Sequence, residues 1–305
     1  MTSHQHSRAA SHRDEFRRQL HLQRELCREM GDLVPPSIDL STAQCVLDVA
    51  CGAGGWLLEM ARAFPHIQFI GLNTSEDMVE RASEQASQEG VKKAIFLEHT
   101  MANIDQLPFP HATFDLINIA FIARYLLTLD YAALARSLYP FTCPGGTLCW
   151  TECELPMTNS LAFESLMAKT CQALQAAGHT FIPPSMQEIA AIFEELDREA
   201  GHEVRPYQRR RLGITPMLGN WMRQAGYQNI RRAPSAIEVS AGMPTHQMFL
   251  QEVVVFAQRI RPFLLATGVI AEADFDELVS HLHTDLHDER FCGLCFVLQV
   301  WGQKP

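Results

Sequence analysis

Apolar and polar positions fall along this chain in blocks whose period switches between that of a helix and that of a strand. Residues 13–30 set Phe16, Leu20, Leu22, Leu26 and Met30 among charges, which predicts an amphipathic helix. Gly31 ends it, and Pro35–Pro36 confirm the break. A short apolar run, Cys45–Leu47, then meets an acid, Asp48, and small residues follow at alternate positions: Ala50, Gly52 and Gly54. From there Trp56, Leu57, Met60, Ala61 and Phe64 recur at helical steps, so a helix runs to about Ala63. The alternation continues with a strand at 67–72, a turn at 73–75, a helix at 76–88 and a strand at 94–99. A proline-rich loop leads into a fourth strand at about 114–120, a helix covers 131–139, and a glycine turn opens a fifth strand within 143–153.

Strands that alternate with helices and read as continuous apolar runs predict a parallel sheet with helices on both faces. Beyond residue 153 the pattern changes. Helices are expected at 160–178 and 185–200, split by Pro183–Pro184, with an arginine-rich connector at 201–213. A helix at 217–225 and a sixth strand at 229–239 return to the earlier pattern. Two more helices, 245–266 and 272–288, precede a last strand at 291–300. The helices at 13–30, 160–200 and 245–288 exceed what such a sheet needs and are the natural material for a cap. The expected division is a mobile N-terminus at 1–12, a core at 13–153, a helical cap insertion at 154–213, and the rest of the core at 214–305 with a second cap insertion at about 244–288.

Composition narrows the field. With 305 residues, 47% apolar and 20% charged, the chain supplies a full core as an ordinary globular enzyme does. A net charge of −10 argues against a nucleic-acid partner. Nine cysteines, an odd number scattered through apolar segments, read as free thiols in a reducing cytoplasm. The pair Cys292–Cys295 lacks the further ligands a structural zinc site needs, so no metal is expected. No apolar stretch reaches the roughly 18–20 residues of a membrane span, and the first residues lack the apolar core of a signal peptide.

The stretch VLDVACGAGGW, 46–56, carries the chemistry. A strand, a turn of small residues and a helix start together let a ligand approach backbone N–H groups. With FIGLNTSEDMVERA at 69–82, LPFPHATFDLINIAF at 107–121 and PGGTL at 144–148, it gives four segments in a fixed order. In these segments the chain resembles the class I S-adenosylmethionine-dependent methyltransferases, in particular the small-molecule branch acting on ubiquinone and menaquinone precursors, sterols and natural products. The resemblance implies a Rossmann-like α/β fold, with a seven-stranded, mostly parallel sheet under a helical cap, and S-adenosyl-L-methionine as cofactor. It places Asp48, Ala50, Gly52 and Gly54 at the methionine part of the cofactor and Asn73 and Thr74 at its ribose. Thr100 and Met101 fall at its adenine, and Ala120 and Phe121 near its amino group and methyl. Two positions depart from the family pattern. Asn73 stands where an acid is usual after the second strand, and His99-Thr100-Met101 replace a segment with an acid after the third. Glu98 and Asn103 are the nearby groups able to substitute.

Methyl transfer is an in-line displacement in which positioning does most of the work, and a base is needed only for an acceptor that must lose a proton. Tyr125, after the fourth strand, is a candidate to face the acceptor or a helix residue that packs its ring, and Glu152, ending the fifth, is a candidate to meet a substrate hydroxyl or amine or a solvated strand-end acid. His281 is a candidate base in the cap, and His283 and His287 lie four apart on one face, as a metal pair would, or as solvated helix residues do. The run RPYQRRR, 205–211, suits either an anion clamp or a solvated connector. The apolar helix at 248–265 suits core or dimer packing, or the lining of a greasy pocket. These features favour methylation of a hydrophobic small molecule on O, N or C, as in secondary metabolism, with a possible homodimer through the cap helices. The alternatives are cofactor-dependent cyclisation or elimination without methylation, and a binding protein without catalysis.

Overall fold

The computed structural model describes residues 2–122, 131–176, 181–182, 211–212 and 214–305. It divides into two compact units. The first comprises Met1–Glu152, Leu218–Ala233 and Leu298–Pro305, and the second Cys153–Met217 and Pro234–Val297.

The first unit is the alternating part of the sequence. Its elements in order are α1 (Thr2–Met30), β1 (Cys45–Val49), α2 (Gly55–Ala63), β2 (Gln68–Asn73), α3 (Glu76–Gln88), β3 (Ala94–Glu98), β4 (Phe114–Ala120), α4 (Tyr131–Leu138) and β5 (Thr142–Cys153). α1 starts at Thr2, so the helix expected from residue 13 extends through the polar residues expected to be mobile. Its apolar stripe is buried at Phe16, Leu20, Leu22 and Leu26. Ser75 caps α3 by accepting the Met78 N–H, and Glu76 and Asp77 in the first turn complement the helix dipole.

β1, β2, β3, β4 and β5 pair in parallel in the order β3-β2-β1-β4-β5, and β10 (Gly293–Gln303) lies beside β5 with β9 (Gln228–Glu238) paired to it. That is the Rossmann-like sheet of seven strands. β9 and β10 run from one unit into the other. An eighth strand, β6 (Met157–Thr158), pairs antiparallel with the start of β10 in the second unit and has no counterpart in the sequence reading. The central strands are fully buried at Val46, Leu47, Val49, Phe69, Leu72, Leu116, Ile117 and Ile119. This explains their unbroken apolar character: helices cover both faces. At about 25 cal/mol per Å² of apolar surface removed from water, this core dominates the stability of the unit.

The second unit gathers α5 (Leu161–Ala176), α7 (His246–Ala266) and α8 (Glu272–Leu286), with α5 packed on both of the others. α6 (Thr215–Ala225) links the units along the chain. Phe163 meets Phe249 at 5.8 Å between ring centroids, and Phe249 stacks on Phe291 at 5.8 Å. Met248, Phe249, Leu250, Val253, Ala257, Ile260 and Leu264 make the buried face of α7, so core packing accounts for its apolarity. Part of the expected connector, Arg211–Leu212, is a short strand β8 that pairs in parallel with β7 (Phe181–Ile182). The expected helix at 185–200, and residues 205–210 of the arginine run, lie outside the described residues.

Candidate functional site

The carboxyl ends of β1, β2, β3 and β4 bring most of the predicted residues to one edge of the sheet. β1 ends at Val49, and the next residue, Ala50, has φ 57°. Gly52 (φ 58°) and Gly54 (φ 79°) repeat the left-handed conformation at alternate positions. Such alternation turns backbone N–H groups inward and makes a concave seat for an anion. Beside it, Phe121 just past β4 is also left-handed, with φ 54°. An L-residue held there costs about 1–2 kcal/mol, so two non-glycine examples at neighbouring strand ends mark backbone that is over-determined by its surroundings.

The two glycines differ in what they make room for. A Cβ on Gly54 would lie 2.5 Å from the Phe96 ring, so this residue seats the start of α2 against β3. A Cβ on Gly52 would lie 2.5 Å from Nε2 of Gln23, a side chain of α1. Gln23 has no role in the sequence reading. Its Nε2 donates to the Cys51 carbonyl at 2.9 Å, and its Oε1 accepts the Gly55 N–H at 2.8 Å. The only sequence signal for it is a polar Gln19/Gln23 pair four apart on an otherwise amphipathic helix.

Asp48 is the charged group of the turn, and it is 3% exposed. In register it faces Asn118 of β4, whose Nδ2 donates to Asp48 Oδ1 at 2.8 Å. Burial pushes the Asp48 carboxyl up to about 7, and the Asn118 hydrogen bond offsets part of that rise. A buried acid with this single neutral donor suits a cationic neighbour. The sequence signal for Asn118 is a lone amide in the apolar run LINIAF.

Asn73 ends β2 and is satisfied within the chain. Its Nδ2 donates to the Gly52 carbonyl at 2.9 Å, and its Oδ1 accepts the Ser75 N–H at 2.9 Å. Thr74 is exposed beside it. Thr100 is exposed after β3 and caps a short 3-10 turn, Met101–Asn103, by accepting the Ala102 N–H at 3.4 Å; Met101 is buried. Glu98 and Asn103 are both exposed. Ala120 closes β4 opposite Thr151 of β5 and is half-buried.

The candidates for catalysis separate. Tyr125 lies outside the described residues. Glu152 is 1% exposed, which corrects the reading of it as a solvated strand-end acid. Its Oε1 accepts the Ile122 N–H at 3.1 Å and the Trp150 Nε1–H at 3.2 Å. Tyr131, Trp150 and Trp221 form a buried aromatic group beside it, with Tyr131 stacked on Trp221 at 5.4 Å. Burial, and then the Glu152 charge, push the Tyr131 phenol well up, so it stays protonated. His281 and His283 sit exposed on α8 in the second unit and His287 is exposed just past its end, with the His283 and His287 rings stacked at 4.1 Å. His287 Nδ1 bonds the His283 carbonyl at 2.8 Å, and among the described residues no cluster of three metal-binding groups forms. All nine cysteines are free thiols. Among the described residues no helix is long and apolar enough to cross a membrane.

The chain also matches known proteins in sequence. Residues 46–146 match the family described as a methyltransferase domain. A demethylmenaquinone methyltransferase of Lactococcus lactis subsp. lactis is 29% identical over 199 residues, which are 60% of this chain and 71% of that protein. One of the same description from Bacillus licheniformis is 31% identical over 169 residues, 49% of this chain and 68% of that protein. Among solved structures, phosphoethanolamine N-methyltransferase 2 of Haemonchus contortus with S-adenosyl-L-methionine aligns with 93% of this chain, at a TM-score of 0.46 and 17% identity. This chain spans 52% of that longer one.

Proposed function

Because the chain belongs to the class I S-adenosylmethionine-dependent methyltransferases, we propose that it places the cofactor's methyl group on an oxygen, nitrogen or carbon of a hydrophobic small molecule, of the chemical class of quinones and natural products. The observation that carries this reading is the turn after β1, where Ala50, Gly52 and Gly54 hold positive φ next to the buried Asp48 carboxylate. Bound there, S-adenosylmethionine supplies a methyl carbon on a positively charged sulfur.

The residues present fit such a group. The left-handed turn at residues 50–54 suits its carboxylate through the backbone N–H groups other than those of Cys51 and Gly54, which bond the Leu72 and Cys51 carbonyls, and Asp48 suits its positive charge. Asn73 and Thr74 would hold its ribose, and Thr100 and Met101 its adenine. At the acceptor side Glu152 is a positioning residue. It holds the Ile122 N–H, and with it the left-handed Phe121, at the end of β4. Orientation of this kind is the main lever a protein has on a displacement between two bound partners.

The net charge of −10 supports a small-molecule acceptor over nucleic acid. Free thiols throughout support a cytoplasmic setting. Association of two copies through the cap helices is checked by sedimentation. The activity is tested by incubating the protein with S-adenosylmethionine and a panel of demethylated quinols, phenols and amines, followed by mass spectrometry. Methylated product with one equivalent of S-adenosylhomocysteine is expected. An isomerised product with the cofactor intact would assign the fold to cyclisation or elimination instead. Failure to bind either form of the cofactor at millimolar concentration would remove both readings.

A further inference from the structure

The contacts of α1 with the β1–α2 turn are not those of a helix that only covers a core. Cys51 and Gly55 are the two ends of the turn that contains Gly52 and Gly54. One planar amide, that of Gln23, spans them, donating at one end and accepting at the other. It takes one of the N–H groups that a helix start leaves without a partner. On the other side Asn73 donates to the Gly52 carbonyl, and the Cys51 N–H donates to the Leu72 carbonyl at 2.8 Å. The turn is thus clasped by α1 on one side and β2 on the other.

The glycines follow from this clasp. Cβ atoms on Gly52 and Gly55 would approach Gln23 Nε2 to 2.5 Å and Gln23 Cβ to 2.7 Å. Gly55 has no positive φ, so its lack of a side chain is explained by the approach of α1. The helix that delivers Gln23 is itself anchored. Arg24, its neighbour in sequence, bridges Glu59 of α2 at 3.0 Å and Glu89, just past α3, at 2.8 Å, while Phe16 and Leu20 enter the core.

We propose that Gln23 is a positioning residue of the methyl-transfer site: its amide holds residues 51–55 in the conformation that receives the cofactor. α1 is therefore part of the cofactor-binding machinery. The proposal rests on the reading of residues 50–54 as the cofactor turn.

Gln23→Met removes both hydrogen bonds at nearly constant volume. Two readouts apply, the affinity for S-adenosylhomocysteine by calorimetry and the exchange rate of the Gly55 amide hydrogen in the ligand-free protein. Loss of a two-bond clasp is expected to weaken binding about tenfold and to speed Gly55 exchange by a similar factor. Gln23→Glu gives a second test with a signature that a purely structural role does not produce. Protonated, its acid can still donate to the Cys51 carbonyl and accept from Gly55; ionised, it opposes that carbonyl. The titratable and charged groups around this position are Cys51 of the turn, Arg24 beside it on α1 and paired with Glu59 of α2, Cys27 one turn on, which feels the Asp48 and Glu59 charges, and Glu15, held by Gln19 one turn back. Binding by Gln23→Glu should therefore weaken as pH rises from about 5 to 8, the opposite sense to that expected for the titration of Asp48 in the parent protein.

Unchanged affinity and Gly55 exchange in Gln23→Met, with no such pH dependence in Gln23→Glu, would overturn the proposal and leave the cofactor turn standing. Should Gln23→Met not fold, the pH dependence of Gln23→Glu decides alone. Absence of binding by the parent protein overturns the reading of the turn and the proposal together, and shows itself before any variant is made.

Discussion

Replacing Asp48 with asparagine removes the one buried charge of the turn while keeping its shape. The amide oxygen can accept the Asn118 Nδ2–H as Asp48 Oδ1 does at 2.8 Å. Burial raises the Asp48 carboxyl from 3.8 to about 7. A displacement of that size corresponds to roughly 4 kcal/mol against the ionised form in the folded chain. The folded value lies above the unfolded one, so the stabilising contribution is fully present below about pH 4, where both states hold the proton. It is then lost as pH rises towards 7, because the unfolded chain has already released its proton. Urea unfolding of ligand-free parent and Asp48→Asn, followed by circular dichroism from pH 4 to pH 8, isolates this group, since subtraction cancels every other titration. The variant should gain on the parent by about 1.4 kcal/mol per pH unit, roughly 4 kcal/mol in all, and the difference should level off above about pH 7. Binding a cation favours the carboxylate, so the parent should release a proton on taking up the cofactor near pH 6–7, and Asp48→Asn should not. Calorimetry in two buffers of different ionisation heat reads that proton. A stability difference that stays flat across the range would refute the reasoning.

Three further substitutions test the neighbouring contacts. Gly54→Ala puts a Cβ 2.5 Å from Phe96 at φ 79°, and thermal unfolding should show a loss of about 3 kcal/mol, part of it recovered in the double variant with Phe96→Leu. Asn73→Asp restores the acid common in the family but swaps the donor to the Gly52 carbonyl for an acceptor, so it should cost about 1–2 kcal/mol in stability and weaken S-adenosylhomocysteine binding; tighter binding would refute the assigned bond. Glu152→Ala leaves the Ile122 N–H and the Trp150 Nε1–H without the oxygen they share and should destabilise by about 2–4 kcal/mol, whereas Glu152→Gln keeps an acceptor and should stay within about 1 kcal/mol in the same melts.

What the sequence made legible follows from what is local. β1 to β5 were readable because a strand covered on both faces is an unbroken apolar run between glycines, prolines and polar turns. The three two-residue strands were not, since Met157–Thr158, Phe181–Ile182 and Arg211–Leu212 are too short to show any period. The start of α1 was missed because residues 2–12 carry no apolar stripe from which a helix could be read. In the site, the left-handed turn could be anticipated from Ala50, Gly52 and Gly54. The burial of Glu152 could not, because it depends on where the backbone after β4 returns to β5. A weak signal was available in Trp150 and Glu152 themselves. Two residues apart on a strand they share a face, and a buried indole N–H needs an acceptor.

The departures at Asn73 and Thr100 take on a different meaning once the partners of the turn are known. In the sequence they appear as two missing charges. In the structure Asn73 is an internal tie, its amide nitrogen on Gly52 and its oxygen on Ser75, and Gln23 makes the matching tie from α1. A carboxylate can reproduce neither amide, because each donates to a backbone carbonyl. The turn is therefore held by neutral hydrogen bonds, with Asp48 as its one buried charge. Neutral bonds in a half-buried site are little affected by ionic strength, and a charge buried as deeply as Asp48 is screened far less than one at the surface. Cofactor affinity should then change by less than about threefold between 0.05 M and 0.5 M salt, yet respond steeply to pH around 7. A strong salt dependence with a flat pH profile would mean that exposed charges, such as those on α3, carry the binding and that the amide ties only shape the backbone.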